Sequence, residues 1–416
     1  MAEPHANALA DYDARIAFVM ELAGRLHRYG TTAQRLEGAV MSVAQTLGLD
    51  CEPWSNPTGM ILSFSDPSRP TGLRDTTRVI RLAPGETDLY RLCEADRIAE
   101  DVMAGRLDIA SGYRSLRALD RTPTLRANAM QVVGFGLASA AVAGLLRLPW
   151  IEIATAGCTG LLLGLLELAT RPRPRLKEAG DAIAGMLAGT IALLVATFVA
   201  PLNLNTVIIA SLIVLLPGMA LTNAVNELTS QHLVSGTARF AGALATLLKL
   251  TVGTTIAVTA AALLGVEPQV RAWRPQPAWV EAGALLLAAY AFAVLFRTHR
   301  RDYPVVMLAA ITGYLVSRLA GDAWGSPVGV FLSALLVTAL GNAYARWWNR
   351  PGAVVRMPGI IMLVPGSASL RGIITLFQQQ DLAAGQDALI GVLNILLALI
   401  AGLLFGNILL PTRRNL

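Results

Sequence analysis

The stretch Leu215-Leu216-Pro217-Gly218-Met219-Ala220 decides the fold of this chain, because a Pro-Gly pair stands there inside a long apolar segment. A second copy, Leu363-Val364-Pro365-Gly366-Ser367-Ala368, follows 148 residues later in another apolar segment. Proline and glycine both disfavour a continuous helix. Inside a lipid bilayer, the backbone groups that such a break frees need partners in protein or in trapped water. Two matching breaks therefore predict broken helices around a transport site near the middle of a membrane.

Charged residues are scarce and unevenly distributed along the chain. Of the 416 residues, 54% are hydrophobic and 15% are charged, whereas about 25% charged residues are usual in soluble proteins. Residues 1–126 hold 15 Arg and 17 Asp/Glu, and residues 127–416 hold 19 Lys/Arg and 11 Asp/Glu. The net charge of +6 therefore comes from the apolar part, as expected of cationic loops that face an anionic lipid leaflet. No basic face is interleaved with aromatic residues, so nucleic acid is not an expected partner.

Ten segments are long and apolar enough to cross a bilayer. They lie near 127–146, 150–169, 180–200, 205–227, 239–265, 279–296, 303–321, 326–346, 357–376 and 386–410. With the N-terminus placed inside, the inner connections carry 13 Lys/Arg and the outer connections carry 5. Positive charge accumulates in cytoplasmic loops. We therefore expect a multi-pass protein of the bacterial inner membrane with both termini in the cytoplasm.

The ten segments divide into two halves of five, 127–265 and 279–416, joined by an external linker over 266–278. An odd number of spans in each half gives the halves opposite orientations. The Pro-Gly pairs then fall in spans four and nine, and Ala156–Leu161 in span two matches Ala309–Tyr314 in span seven at an offset of 153 residues. The predicted fold is an all-α membrane protein with a 5+5 inverted repeat, which secondary transporters use for alternating access.

Residues 1–126 predict a small cytoplasmic α+β domain ahead of the membrane part. Apolar spacing predicts helices over 15–29, 33–47, 86–104 and 108–119, and β-branched runs predict strands at 60–64 and 77–82. Thr31 and Gln34 fit a capping box at the start of the second helix. The absence of G-x-S-x-G and H-E-x-x-H motifs favours a gating or regulatory module over an enzyme. The alternative is a membrane-anchored hydrolase with a catalytic front domain.

The sequence carries no motif for a bound cofactor or for ATP. Cys51, Cys93 and Cys158 share no metal-ligand spacing, so neither a metal nor another cofactor is expected. The chain has no GxxxxGK[ST] motif, so uphill transport would use an ion gradient, with protons preferred and sodium left open. Gly185 and Gly189 permit close helix contact, which leaves a homo-oligomer as a further partner to consider.

Several motifs resemble one family of membrane proteins. In chain order they are Tyr29–Glu37 (YGTTAQRLE), Pro57-Thr58-Gly59, Gly105-Arg106-Leu107 and Leu216–Ala224 (LPGMALTNA). Together they are similar to the threonine/serine exporter family, and Val364–Ser367 resembles the separate small half of its two-subunit members. The resemblance covers nearly the whole chain. It implies proton-linked export of L-threonine and L-serine across the bacterial inner membrane, without enzymatic activity. Two-subunit members are associated with succinate export, so a dicarboxylate exporter is the alternative within transport, and an open channel is a third class.

The two Pro-Gly pairs are the leading candidates for substrate binding. A half-helix that starts at Pro217 or Pro365 would aim the backbone amides of Gly218, Gly366 and Ser367 at an anion. A carboxylate is the group that threonine, serine and succinate share. The alternative interpretation is a packing kink that binds no ligand.

Five polar or charged residues near the breaks are further candidates. Asn223 and Asn226 share a helical face and would bind a substrate hydroxyl or ammonium, or else join helices. Glu227 would carry the coupled proton, because a dry site favours a neutral carboxyl group. Lys249, about 15 Å into span five, would hold a carboxylate or pair with Glu227. Arg371 would grip a carboxylate opposite Asn223, or else lie in an external loop.

Overall fold

The computed structural model describes residues 11–70, 72–120, 122–269, 275–348, 350–378 and 382–411. Its front part consists of four helices and three strands, and the predicted helices and sheet are all present. In chain order these elements are α1 Tyr12–Arg28, α2 Ala33–Thr46, β1 Asp50–Asn56, β2 Gly59–Ser65, β3 Asp75–Arg81, α3 Leu89–Met103 and α4 Ile109–Ala118.

The sheet is antiparallel and has β2 at its centre. Sequence analysis missed β1, because Pro53 and Asn56 belong to residue types that are depleted in strands. Pro53 is tolerated because β1 is an edge strand, where a residue without an N–H need not break the ladder. The core of the front part is apolar, and its largest buried side chains include Phe18 of α1 and Phe64 of β2.

Most of the remaining helices are long and apolar, as expected of a multi-pass membrane protein. Their bounds are α5 Leu125–Leu145, α6 Trp150–Thr170, α7 Pro174–Phe198, α8 Leu204–Ser211, α9 Gly218–Thr229, α10 Leu233–Leu263, α11 Ala278–Leu295, α12 Tyr303–Trp324, α13 Ser326–Trp348, α14 Ala353–Ile361, α15 Gly366–Gln378 and α16 Leu382–Leu409. Within the described ranges, nine segments are long and apolar enough to cross a bilayer, or ten if one bent pair of helices is a single span. Residues 270–274 of the predicted external linker lie outside the described residues.

Two of the predicted spans are interrupted in the structure. Predicted span four corresponds to α8, a short 3-10 turn over Ile213–Leu215 and α9, with a bend of 58° between the two parts. Predicted span nine corresponds to α14 and α15, which are separated by residues 362–365. α9 and α15 each begin at the glycine of a Pro-Gly pair, as expected because proline and glycine disfavour a continuous helix. The 58° bend itself lies at Leu212, between Ser211 and Ile213. The 5+5 inverted repeat itself stays a prediction.

Gly185 and Gly189 bring α7 and α10 together within one chain. A Cβ added at Gly185 would collide with the carbonyl group of Leu250, and one added at Gly189 would lie 2.9 Å from the Cβ of Ala257. The face of α7 that carries these two glycines is therefore buried against α10 within the chain. The homo-oligomer stays a prediction, and this glycine pair no longer supports it.

The front part packs against one end of the membrane helices. Phe292 of α11 and the following Phe296 belong to the same buried apolar cluster as Phe18 of the front part. The N–H of Leu89 donates to the carbonyl oxygen of Phe296 at 2.9 Å. Nη1 of Arg297 lies 3.4 Å from a carboxylate oxygen of Asp88. This interface positions the polar groups described next.

Candidate functional site

The two Pro-Gly pairs meet in the structure. α9 begins at Gly218 and α15 begins at Gly366. A Cβ added at Gly366 would lie 3.5 Å from the Cα of Gly218, and one added at Gly218 would overlap the side chain of Val364. The two interrupted helices therefore cross at nearly backbone distance. Glycine is needed on α9 because a side chain there has no room.

A cavity of about 160 Å³, which we call the crossing cavity, lies where these helices meet. Gly218, Gly366 and Ser367 line it together with Tyr314, and its other lining residues are apolar. Helix N-termini carry a partial positive charge and attract anions. The first residues of two helices, 12 and 13 residues long, thus line one small space.

One detail of the predicted anion site is wrong. Pro217 is the N-cap of α9 rather than its first helical residue. The N–H of Gly218 donates to the carbonyl oxygen of Leu216 at 2.8 Å, so this amide is already engaged. The amides of Gly366 and Ser367, which follow Pro365, remain as predicted donors to an anion.

Glu227 lies at the centre of a buried cluster that joins α9 to α10. Its Oε1 accepts a hydrogen bond from Nη2 of Arg239 at 3.0 Å, and its Oε2 accepts from Nε of the same arginine at 3.1 Å. The hydroxyl of Ser235 donates to Oε2 at 2.8 Å. Glu227 is 0% exposed. This carboxylate is therefore a paired, hydrogen-bonded buried charge.

The same carboxylate caps α2 of the front part. Oε1 of Glu227 accepts a hydrogen bond from the N–H of Ala33, the first residue of α2, at 3.0 Å. The predicted capping box is therefore wrong, because Thr32 is the N-cap and its side chain makes no capping bond. The first N–H groups of a helix need partners, and a residue 194 positions away supplies one here.

A second contact joins the same regions beside this cluster. Nε2 of His232 lies 3.1 Å from Oε2 of Glu37 on α2. The other oxygen of Glu37 accepts from the N–H and hydroxyl of Ser55 on β1, at 2.7 and 2.8 Å. Two glutamates, one from each region, therefore attach the front part to the α9–α10 corner.

A second cavity, which we call the inner cavity, lies between α2, α9 and α14. Its volume is about 70 Å³, several times the roughly 10–15 Å³ that one water molecule needs. Its polar lining residues are Thr31, Thr32, Arg35, Asn223, Asn226 and Arg356. Met219 and Ile360 line this cavity, and the next residues toward the break, Gly218 and Ile361, line the crossing cavity. The two cavities are therefore neighbours along the same two helices.

Arg356 of α14 is the most unusual residue of the inner cavity. It is 3% exposed, and its Nε and Nη1 have no hydrogen-bond partner within the part of the chain that the structure describes. Its stem packs against a glycine, since a Cβ added at Gly341 would lie 2.7 Å from Cγ of Arg356. A buried charge without a partner costs several kcal/mol.

Arg35 lines the same cavity from the front part. Desolvation lowers the pKa of Arg35 to about 10, so its guanidinium is charged at neutral pH. Two arginines thus line one small space, and none of its described lining residues is acidic.

The structure divides the predicted site residues into separate groups. Asn223 and Asn226 line the inner cavity, whereas Glu227, Lys249 and Arg371 line neither cavity. Nζ of Lys249 donates to the carbonyl oxygen of Glu178 at 3.0 Å and lies 3.8 Å from the carboxylate of Asp181. The predicted pairing of Lys249 with Glu227 is therefore wrong, because Arg239 occupies that carboxylate. Arg371 is exposed on α15.

Arg356 and Arg35 were missed as site residues by sequence analysis. Arg356 counted only toward the positive charge of the inner connections, and Arg35 only as one position of a motif. A usable signal was present, because Arg356 stands nine residues before Pro365 in an apolar run. Charge inside an apolar membrane segment is costly and usually functional.

Two family models match the chain, and both describe a threonine/serine exporter. The first matches residues 17–261. The second matches residues 282–409. Together they include α1 to α16 almost entirely.

Curated relatives are similar to this chain over most of its length. A protein of Mycobacterium tuberculosis named "Probable threonine/serine exporter" is 22% identical over 418 residues, covering 97% of this chain and 77% of the relative. An uncharacterized protein of Schizosaccharomyces pombe is 24% identical, covering 88% of this chain and 49% of the relative. The pheromone-regulated membrane protein 10 of Zygosaccharomyces rouxii is 23% identical, covering 87% and 37%. The chain thus spans half or less of these two fungal relatives. No solved structure matches it.

Proposed function

We propose, from the premise that this chain belongs to the threonine/serine exporter family, that it is a secondary active transporter that exports L-threonine and L-serine. The observation that carries the proposal is the crossing of two interrupted helices around a cavity of about 160 Å³. Broken helices that meet at a small cavity are typical of substrate sites in secondary transporters. The proposed setting is the bacterial inner membrane, with both termini in the cytoplasm.

The proposed binding mode places the substrate carboxylate at the start of α15. The amides of Gly366 and Ser367 supply donors there, and the dipoles of α9 and α15 supply a positive potential. The hydroxyl of Ser367 adds a donor or acceptor for a polar substrate group. Alternating access would follow if the two halves, related as an inverted repeat, rock about the crossing.

The proposed coupling ion is the proton, with Glu227 as the proton carrier. Its carboxylate is held by Arg239, Ser235 and the N–H of Ala33. The N–H of Ala33 belongs to the front part, so transport and movement of the front part would be linked. If Glu227→Gln leaves the pH dependence of transport unchanged, another group carries the proton.

The inner cavity favours a second candidate function, the export of a dicarboxylate. Arg35 and Arg356 present two positive charges there, and none of the described lining residues is acidic. Two guanidinium groups could hold the two carboxylates of succinate, whereas an amino acid supplies one.

Counterflow in proteoliposomes tests both candidates. Vesicles would be loaded with unlabelled threonine, serine or succinate, and uptake of the matching labelled solute measured with and without a proton gradient. Lipid vesicles without protein are the control. Exchange of threonine and serine supports the amino-acid exporter, and exchange of succinate alone supports the second candidate. Exchange of none of the three contradicts the proposal.

A further inference from the structure

We propose that the inner cavity is a carboxylate-binding site whose two walls come from different parts of the chain, with Arg356 of α14 and Arg35 of α2 as its binding residues. The inference deepens the proposed function and rests on it, because it takes the transported solute to be a carboxylate. It adds the front part of the chain to the binding site.

The unsatisfied charge of Arg356 is the first support for the site. A guanidinium has five N–H donors and cannot lose its charge at neutral pH. Nε and Nη1 of Arg356 are buried without a partner within the described ranges. Each of these two nitrogens is a charged donor from which a carboxylate oxygen can accept a hydrogen bond. A ligand of that chemistry would supply the counter-charge that the protein leaves out.

The other polar groups extend the site beyond one ion pair. The hydroxyls of Thr31 and Thr32 are also buried without a partner among the residues described. Asn223 and Asn226 present amides from the opposite wall. Hydroxyls and amides can accept from an ammonium or a hydroxyl as well as donate to a carboxylate. The inner cavity can therefore satisfy each polar group of a small hydroxy amino acid.

In the neighbouring Glu227 cluster, the buried charges of this interface are paired with each other. Arg239 is paired with the buried carboxylate of Glu227, which directly follows the cavity residue Asn226 in the sequence. Arg356 and Arg35 receive none among the described residues. The absence of an acidic group is therefore local to the cavity, as expected of a space kept for an anionic ligand.

The position of the cavity fits a solute on its way to the crossing. The inner cavity and the crossing cavity adjoin along α9 and α14, at Met219–Gly218 and Ile360–Ile361. The front part closes the opposite side with Thr31, Thr32 and Arg35. A solute that enters between α2 and α14 would meet the two arginines before it reaches the crossing.

Isothermal titration calorimetry on the purified full chain in detergent tests the site without any transport. The probes are L-threonine, L-serine, succinate and L-threoninol, in which a hydroxymethyl group replaces the carboxylate. We expect a carboxylate probe to bind and L-threoninol not to bind. If succinate binds and either arginine substitution lowers its affinity, the site is assigned to a dicarboxylate. If threonine and serine bind, the site is assigned to an amino acid.

Two variants, one on each wall, identify the residues. Arg356→Met and Arg35→Gln should each weaken binding about tenfold to hundredfold, since a hydrogen bond to a charged group is lost. Arg346→Gln is the matched control, because this arginine is exposed on α13. It should bind as the unchanged chain does. Size-exclusion profiles verify folding, and Arg35→Gln keeps the test valid if Arg356→Met is not monodisperse.

The outcomes separate this inference from the proposed function. Unchanged affinity in both Arg356→Met and Arg35→Gln would overturn the inference, and counterflow by the unchanged chain would leave the exporter standing. Binding of L-threoninol as tightly as L-threonine would also overturn it, because the carboxylate would then play no part. Weakened binding in both variants, with Arg346→Gln unaffected, supports it.

Discussion

The Glu227 cluster and the inner cavity lie side by side at the same interface. Buried charge is paired in the cluster and unpaired in the cavity. Glu227 is 0% exposed and accepts from Arg239, Ser235 and the N–H of Ala33. Arg356 is 3% exposed, and two of its nitrogens have no partner in the described part of the chain. Both regions contact the start of α2.

The difference separates residues that hold the structure from residues that are available to a ligand. A paired buried charge is costly to break, because removing one partner strands the other. An unpaired buried charge is already stranded, so its removal should relieve the fold. The two regions should therefore respond to mutation with opposite signs, and the predictions below test that contrast.

The largest effect is expected from Glu227→Gln. The substitution leaves the partly buried Arg239 without its counter-charge and replaces one of the two acceptor oxygens by an NH2 group, which should cost about 3 kcal/mol. The melting temperature in detergent should fall. The double variant Glu227→Leu with Arg239→Met should recover most of the loss, since neither charge is then left alone. A melting temperature equal to that of the unchanged chain would show that this cluster does not hold the front part.

The next largest effect on stability is expected from breaking a buried ion pair inside the front part. Nη2 of Arg15 lies 2.6 Å from Oδ2 of Asp66, and both side chains are buried. Burial alone would raise the pKa of Asp66, but hydrogen bonds from Ser68 and the Arg15 charge outweigh it, so the pKa lies below its ordinary 3.8. The stabilisation is therefore complete above about pH 3.8 and is lost as the pH falls through the lower folded value.

Asp66→Asn should cost about 3 kcal/mol at neutral pH. Melting temperatures measured from pH 6 to about pH 2 should show an acid-dependent fall in the unchanged chain that is smaller in the variant. An equal fall in both would mean that other carboxylates dominate acid unfolding. The effect should also spare the inner cavity, so binding of its carboxylate probe should persist in the variant.

The smallest effect is expected in the labelling rate of Cys93, which reports whether the front part stays packed against the membrane helices. Cys93 packs against an apolar cluster of the membrane part, to which Val306 and Tyr344 belong, and burial raises its pKa to about 12. Because the thiolate is the reactive form, alkylation should be slow. In a Cys158→Ser background, Glu227→Gln should speed labelling of Cys93 severalfold as the front part loosens.

Cys51 is the matched control for that labelling. It lies inside the front part on β1, and burial raises its pKa to about 12 as well. Its labelling rate should stay constant, because loosening of the interface leaves the core of the front part intact. Equal acceleration of both thiols would indicate unfolding of the front part instead of undocking.

Hydropathy and helix propensity predicted the membrane part well, because both are properties of one segment at a time. The apolar runs located the long helices, and the Pro-Gly pairs located the starts of α9 and α15, whereas broken membrane spans stay a prediction. β1 was missed because the edge position that tolerates Pro53 is a property of the folded sheet. The pairing of Glu227 with Arg239 and Ala33 could not be predicted, since periodicity identifies a helical face without identifying its partner.

A sequence pattern does not identify the partner of a residue, and this limit also explains which residues of the candidate site were predicted. Asn223 and Asn226 were expected to act together, and their spacing on one helical face does place both at the inner cavity. Arg356 and Arg35 are 321 positions apart, and only the folded arrangement of α2 and α14 around the inner cavity brings them to one space. Lys249 was expected near the substrate, but its depth in a span did not reveal that it faces Asp181.

The melting temperature of Arg356→Met, measured without added ligand, tests the central claim most directly. If the arginine is kept unpaired for a ligand, its replacement by an apolar side chain of similar length should stabilise the chain by about 1–4 kcal/mol and raise the melting temperature. Glu227→Gln measured alongside should lower it. A fall in the melting temperature of Arg356→Met would show that the arginine stabilises the fold, and would contradict the account.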